Sequence, residues 1–518
     1  MASGASYLSE AAPLLSSASL SIDEQAIDDT LRTKNDALGL ETTFKSESAL
    51  IVKYSTPLIG TYLLQYSYNL IIILVVSRLG TDELAAVSLG LTTMNIVGFA
   101  IFEGMATSLD TLCAQAYGSG NLKLVGLHTQ RMILFLLLVA TPIGALWICS
   151  LWILSAIVPQ KELAVMAGSF LRISLIGVPG YAIFEAGKRF FQAQGNFTAS
   201  LVVLIICVPV NLVLNWLFVS VRFPFSPSSL SFISYFTYII SKTQQLQWGV
   251  SGAALAAAFT NDIRPILLFF YIRWAAPWTL QCWPGFTLAA VRNWGPMVWL
   301  SLSGAIMTLC EWFAFEILTF STSYLSTEHL ATQIFLSTAS VLVWHVPFSA
   351  SIAISTRIGQ LIGSGAVTAA RKATRTYTII CVLIGLIDMA LLVFALKIII
   401  SRLIIQDHAV RALILRAMPV VALFQLFDAT TCCVHGIMRG LGRQNIGGWV
   451  TFCVNYLYAV PLALYLELGP PRLGLSGLWI ALSSGLALLT VVETVVIMVL
   501  DWGRCVDDAR NREEAVDS

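Results

Sequence analysis

The sequence predicts an all-α membrane protein with twelve transmembrane helices in two pseudo-symmetric six-helix lobes. Three observations predict it. Of 518 residues, 57% are hydrophobic and only 11% are charged, less than half the charge of an ordinary soluble domain. Apolar stretches of about 20 residues, each long enough to cross a bilayer, recur along the whole chain. Short motifs from the first half return in the same order in the second.

The stretches lie near 53–77, 86–112, 130–154, 163–186, 197–221, 248–273, 295–322, 329–353, 375–400, 409–437, 446–467 and 474–500. They divide the chain into a polar, disordered N-terminal tail (1–50), a first lobe (51–273), a Trp- and Pro-rich linker (274–294), a second lobe (295–500) and a C-terminal tail (501–518). The first 50 residues lack a signal-peptide pattern, so the first span is expected to act as its own insertion signal. With the N-terminus in the cytosol, inner loops collect Lys123, Arg131, Lys188, Arg189, Arg273, Arg292, Arg357, Arg371, Lys372, Arg375, Arg439 and Arg443. Outer loops hold fewer: Arg78, Lys161, Arg222, Lys242, Lys397, Arg402 and Arg472. That bias places both tails and the linker in the cytosol.

The duplication rests on three matches. Gln115 to Gly120 (Gln-Ala-Tyr-Gly-Ser-Gly) after the second span pairs with Gln360 to Gly365 (Gln-Leu-Ile-Gly-Ser-Gly) after the eighth. Gly249-Val250-Ser251-Gly252 pairs with Gly474-Leu475-Ser476-Gly477, and Phe184-Glu185-Ala186 with Phe427-Asp428-Ala429. Six spans per half make the halves parallel repeats, with a substrate path at or near their interface.

Several classes are disfavoured. A net charge of +1 implies no nucleic-acid partner, and the ten cysteines show neither metal-ligand spacing nor a disulfide framework. No nucleophile–base pair or phosphate-cradling loop is visible, since neither Gly-Ser-Gly turn is followed by Lys-Ser/Thr. No enzyme, metal or organic cofactor is expected.

Two acids stand out instead. Glu311 lies in Leu309-Cys310-Glu311-Trp312-Phe313 and Asp428 in Phe424-Gln425-Leu426-Phe427-Asp428-Ala429, both deep in apolar stretches. A charge at the centre of a spanning helix costs about 3 kcal/mol or more, so such acids mark ion or proton handling. Hydrocarbon disfavours charge, so a carboxyl there can exchange between a neutral protonated form and an ionised form that attracts a cation. Protons and a cationic substrate then compete for one site. The bland alternative is an acid hydrogen-bonded to helix neighbours that only fixes packing.

At helical spacing, Asp428 shares a face with Phe424, Gln425, Thr431, Cys432 and His435. Gln333, Ser337, Ser340, Trp344 and Phe348 form a second stripe in the eighth span. Trp312, Trp344 and Phe424 either offer aromatic faces to an organic cation, worth up to about 2 kcal/mol when desolvated, or simply pack. Glu185, aligned with Asp428, is read as an ion pair with Lys188 and Arg189 at the rim.

The chain resembles the multidrug and toxic compound extrusion (MATE) family, eukaryotic (fungal-like) branch, over roughly 45–500. The resemblance is carried by Gly104-Met105, by Leu109 to Gly118, by Cys310-Glu311-Trp312, by Pro347 to Gly365, and by Gln425 to Ala429 with Gly436 to Gln444. It implies antiport of organic solutes against protons or sodium, with Glu311 and Asp428 as coupling acids. Prokaryotic members carry a coupling Asp in the first span, whereas Asn69 to Val76 here contains no acid. That departure shifts weight to the second lobe and to protons over sodium. In the eleventh span the family's Asn and Tyr-Tyr set is replaced by Thr451, Asn455 and Tyr456, a change bearing on substrate choice.

The expected substrate-binding set is therefore Trp312, Gln333, Trp344, Phe424, Gln425, Thr431 and Tyr456. The expected partners are a small organic cation and the bilayer, and the protein is expected to be a monomer. Glu10, Leu14 and Leu15 fit an acidic dileucine signal, which would engage a sorting adaptor for vacuoles or lysosomes; the bland alternative is an acidic tail holding two leucines by chance, and the expected location is a vacuolar or lysosomal membrane or the plasma membrane. The alternative function is a lipid-linked glycan flippase of related architecture. It needs a basic cavity, for which Arg172, Arg264, Arg411 and Arg416 are the sole candidates. A receptor built on a transporter body is disfavoured by tails without a signalling domain.

Overall fold

The structure, a computed structural model, describes residues 42–158, 160–219, 248–402 and 408–517. The dileucine motif and the long segment at 222–247 lie outside these residues. Among the described residues, twelve helices are long and apolar enough to cross a membrane. They are α1 (Phe44–Val76), α2 (Thr81–Ser119), α3 (Leu122–Ile148), α4 (Lys161–Ala193), α5 (Thr198–Val219) and α6 (Gly249–Trp274), then α7 (Gly295–Tyr324), α8 (Thr327–Gly363), α9 (Val367–Phe394), α10 (His408–Gly440), α11 (Gln444–Leu468) and α12 (Leu475–Val499). A thirteenth helix, α13 (Trp502–Asp517), follows.

The repeat read from sequence is present in the backbone. Gly120 and Gly365 end their helices with φ of 88° and 78°, and Gly249 and Gly474 open theirs at 53° and 57°. Glycine adopts this left-handed region without steric cost, so equivalent turns recur at equivalent points. Pro57, Pro142, Pro209, Pro265, Pro347 and Pro419 lie inside continuous helices. Pro296 instead sits in the first turn of α7, where a missing N–H costs nothing, whereas Pro179 and Pro461 fall inside α4 and α11, just after the 3-10 turn Leu175–Gly177 and the π segment Val454–Ala459. Two π-helical segments, Asn95–Phe99 in α2 and Val454–Ala459 in α11, interrupt the α pattern. The second contains Asn455 and Tyr456.

The first helix begins earlier than hydropathy predicts. Residues 44–50, assigned to the tail by composition, belong to α1. The Thr43 N–H donates to Ser46 Oγ at 3.0 Å, and Glu47 finds a cation, with Arg357 Nη2 on α8 at 2.9 Å from its Oε1. Tyr377 on α9 also donates to Glu47. The C-terminal segment is likewise folded: Trp502, Cys505, Val506 and Ala509 are buried against the second lobe, and Arg443 Nη2 lies 2.7 Å from Asp508 Oδ2.

Between α6 and α7 the linker forms two 3-10 turns, Pro277–Cys282 and Leu288–Val291. Its inner side is tied to α3: Gln130 Nε2 donates to Gly285 O at 2.7 Å and Arg131 Nη2 to Ala289 O at 3.3 Å. Phe286 and Leu288 point away from the protein, 93% and 85% exposed.

The halves meet at the end of the bundle that carries both termini. There Thr111 Oγ1 donates to Arg439 O (2.5 Å), Gln115 Nε2 to Gly440 O (3.0 Å), Gln444 Nε2 to Thr111 Oγ1 (2.9 Å) and Gln360 Nε2 to Ala193 O (2.9 Å). Arg512 of α13 donates to Gln115 Oε1 at 2.8 Å, so the last helix straddles both lobes.

Candidate functional site

Residues 428, 431, 432, 435 and 439 recur at helical spacing and form one stripe of α10, directed at α7, α8 and α12. From α7, Glu311 reaches this stripe: its Oε1 lies 3.3 Å from His435 Nδ1. On the other side of the ring, His435 Nε2 is 3.3 Å from Glu493 Oε1 of α12. The three side chains form a row running inward, with 31% of Glu311 accessible, 7% of His435 and none of Glu493.

Asp428 stands two turns before His435 and is half-buried. It is within electrostatic reach of Glu311 and of Asp388 on α9. Asp388 is buried, and its Oδ2 has no hydrogen-bond partner. Beyond His435, Arg439 is anchored to α8, its Nη2 donating to Ser351 Oγ at 2.6 Å, while Ser351 Oγ donates to Cys432 O at 2.5 Å.

The seven residues expected to line a substrate site divide by exposure. Gln333 is buried and bridged, accepting from Trp479 Nε1 at 3.0 Å and donating to Ser337 Oγ at 3.1 Å. Gln425 is buried and donates to Ser340 Oγ at 2.6 Å. Phe424 is buried against Trp479 and Phe315, with ring centroids 5.1 and 5.8 Å away. Thr431 is buried, its Oγ1 2.9 Å from Thr490 Oγ1. Trp312 is exposed. Trp344 is half-buried and stacks on Phe348 at 4.2 Å, and Tyr456 donates weakly to Cys310 O at 3.4 Å.

The first lobe holds a different arrangement. Lys188 Nζ donates to Glu185 Oε1 at 2.7 Å, and Arg189 Nε lies 3.3 Å from Asp110 Oδ1. Glu185 and Lys188 are thus paired, as their spacing predicts, but both are fully buried rather than at the rim. Lys188 also sits 4.9 Å above the Tyr62 ring, and Glu103 completes the cluster. Arg264 lies 4.3 Å over Tyr68, so this intramembrane arginine is matched by an aromatic face. Among the described residues Asp428 has no lysine ion pair, and it stands fourteen residues before the left-handed Gly442 whereas Glu185 stands ten before Gly195, so the motif that matched the two acids is offset by about one helical turn.

Sequence reasoning passed over Glu493 and Asp388, and it noted His435 only as part of a stripe. The signal existed. Glu493 in Thr490-Val491-Val492-Glu493-Thr494-Val495 and Asp388 in Leu386-Ile387-Asp388-Met389-Ala390 are lone acids in apolar runs, the criterion that selected Glu311.

A twelve-helix bundle of two like-built halves, with ionisable side chains buried along its spanning helices, defines a secondary transporter rather than an enzyme. The sequence profile of the MatE family matches the chain twice, at 57–217 and 304–465. A Schizosaccharomyces pombe protein described as an uncharacterized transporter is 36% identical, over 94% of this chain and 87% of that relative. A Saccharomyces cerevisiae protein described in the same way is also 36% identical, over 92% of this chain, which spans only 64% of that relative's length. Mouse multidrug and toxin extrusion protein 2 is 27% identical over 91% of this chain and 78% of its own length. The crystal structure of the eukaryotic MATE transporter AtDTX14 superposes with a TM-score of 0.80 at 25% identity, covering 90% of this chain and 99% of that one. The chain belongs to the MATE family of multidrug and toxin extrusion transporters, which carry small organic compounds.

Proposed function

We propose that this transporter exports organic cations or cationic metabolites in exchange for protons, with Glu311 and Asp428 as the acids that alternate between proton and substrate. The observation that carries this reading is that Glu311 meets the stripe of α10 that bears Asp428, its Oε1 lying 3.3 Å from His435 Nδ1 two turns beyond Asp428. Among the described residues, no Lys or Arg forms an ion pair with either. Two carboxyls that share a site cannot both ionise without cost, so they bind protons or a cation in alternation. One-for-one exchange of a proton for a monovalent cation moves no net charge, so the proton gradient itself drives export, with about 1.4 kcal/mol per pH unit. Protons are favoured over sodium because Asn69 to Val76 of α1 carries no acid.

The joined ends support transport by alternating access. With both termini in the cytosol, as the basic residues predict, the hydrogen-bonded end is the cytosolic one. The conformation is then an outward-facing stage of the cycle, and Trp312, Trp344 and Tyr456 are the residues nearest to a bound ring. The dileucine motif at Glu10, Leu14 and Leu15 supports delivery to a vacuolar or lysosomal membrane.

The test is uptake of ethidium into vesicles reconstituted with the protein under an imposed proton gradient, with and without sodium. Wild type is expected to accumulate ethidium without sodium, and Glu311→Gln and Asp428→Asn to lose at least tenfold in rate. Accumulation that needs sodium would overturn proton coupling. Transport of a lipid-linked sugar that is unchanged in Glu311→Gln would replace antiport with a flippase.

A further inference from the structure

We infer that His435 and Glu493 share one proton that stays inside the protein, and that this proton moves from His435 Nε2 to Glu493 when Glu311 is neutralised. The inference deepens the antiport reading, and rests on it only for what neutralises Glu311 during the cycle.

Geometry carries it. Glu493 has no accessible surface, and neither of its oxygens has a hydrogen-bond partner in good alignment. His435 Nε2, at 3.3 Å, is the polar group within reach. A buried carboxylate without a partner costs several kcal/mol, so the pair must hold a proton in one of two forms. Either His435 is an imidazolium facing an ionised Glu493, or His435 is neutral and accepts from the O–H of Glu493. The ring is oriented for both, because Nδ1 faces Glu311 at 3.3 Å and Nε2 faces Glu493.

The charges around the ring determine which form prevails. From α7 comes Glu311, from α12 Glu493, and from α10 itself Arg439 and, a step farther, Asp428 with Asp388 of α9 behind it. Helix α8 contributes the neutral Ser351, which holds Arg439. Gly447 of α11, beside Glu493 Oε1, adds no charge. With Glu311 ionised, the imidazolium lies between two carboxylates and is well balanced. Once a proton or an organic cation neutralises Glu311, that balance is lost, and Arg439 then repels the imidazolium.

The step needs no outside reactant. The Nε2–H bond of His435 breaks, an O–H bond forms on Glu493, and the Nδ1–H remains donated to Glu311. A positive charge is thereby withdrawn from beside an arriving cation without releasing a proton to water. Glu493 is a positioning residue here, since it acts on the site through His435.

The test reads the imidazole directly and needs no substrate. Full-length protein containing isotope-labelled histidine is placed in lipid bicelles, and nitrogen chemical shifts at neutral pH are recorded for wild type, Glu311→Gln, Glu493→Gln and the double variant; His435→Gln assigns the signal. Wild type is expected to show both His435 nitrogens protonated, and Glu311→Gln to show Nδ1 alone protonated. In infrared spectra, Glu311→Gln is expected to show a protonated-carboxyl band that disappears in the double variant. A His435 signal identical in wild type and Glu311→Gln would overturn the inference, as would a protonated-carboxyl band of Glu311→Gln that is unchanged in the double variant. If Glu493→Gln alone does not fold, the comparison of wild type with Glu311→Gln still decides. Loss of proton-driven ethidium uptake as a phenomenon would instead refute the antiport reading and leave these spectra unaffected.

Discussion

The main-chain carbonyl of Gln115 occupies the space that a side chain on Gly363 would need, and the carbonyl of Gln360 does the same at Gly118. Gln115 and Gln360 are equivalent positions of the repeat, as are Gly118 and Gly363, so the contact is reciprocal across the pseudo-two-fold axis. The duplicated motif closes the bundle by packing one copy against the other. Absence of a Cβ at both glycines permits the approach, and the obstructing atoms are backbone, which cannot rotate away.

Gly118→Ala and Gly363→Ala are therefore expected to destabilise this closed arrangement by at least about 1–3 kcal/mol each, as overpacking does. The check is thermal unfolding of the purified protein, with Gly295→Ala as the comparison because nothing lies within 4 Å of a Cβ there. Equal melting temperatures for all three would mean that the two copies do not bear on each other.

Cys282 reports on the linker in the same way. Its carbonyl lies against Gly126 of α3, and burial pushes its thiol up to about 11. The thiolate is the reactive species, so the folded protein is expected to label with maleimide at Cys282 roughly a hundredfold more slowly than the denatured chain at neutral pH. The rate should rise about tenfold per pH unit and level off near 11. Gly126→Leu, which displaces the linker, is expected to abolish the protection. Rapid labelling of the native wild type would show that the linker is not docked on α3.

How much of this was legible in the sequence follows from what each feature depends on. The spans and the repeat depend on hydropathy and local motifs, and both were readable. Glu311 and Asp428 were legible as intramembrane acids, because a lone acid in an apolar run is costly wherever it packs; their coupling role is the proposal made above. The boundary at residue 50 was not, because the polar first turns of α1 include Glu47, whose partner Arg357 lies 310 positions away in the chain. The rows Glu311–His435–Glu493 and Asp110–Arg189 also depend on helices distant in sequence meeting, which no single periodicity encodes. The burial of Glu185 and Lys188 was misjudged for a related reason. Position near a helix end implied the rim, whereas the packing of α2 and α4 encloses that turn.

The Glu47 cluster gives a graded prediction. Glu47→Gln removes the negative charge facing Arg357 and is expected to cost about 1.5–3 kcal/mol, the range for a charged hydrogen bond. Tyr377→Phe removes one donor to the same carboxylate and is expected to cost about 1 kcal/mol. Thermal unfolding in detergent measures both. Because Glu47 ties α1 to α8 and α9, ethidium uptake should also change more in Glu47→Gln than in Tyr377→Phe. The reverse order in either measurement would show that the tyrosine, not the ion pair, holds the start of α1.

Two aromatic residues on neighbouring helices should separate binding from stability. Phe424 is buried in the second-lobe core with Phe315 and Trp479, so Phe424→Ala leaves a cavity and is expected to cost about 3–5 kcal/mol. Trp344 is half-buried and keeps a ring available beside Phe348. A cation stacked on it gains up to about 2 kcal/mol, and 1.4 kcal/mol is a tenfold change in affinity. Trp344→Ala is therefore expected to raise the half-saturating ethidium concentration about tenfold while lowering the melting temperature less than Phe424→Ala does. Trp344→Phe, which retains a π face, should recover most of that affinity. If Trp344→Ala lowers stability as much as Phe424→Ala and leaves the half-saturating concentration unchanged, the indole is a packing residue and the cation binds elsewhere.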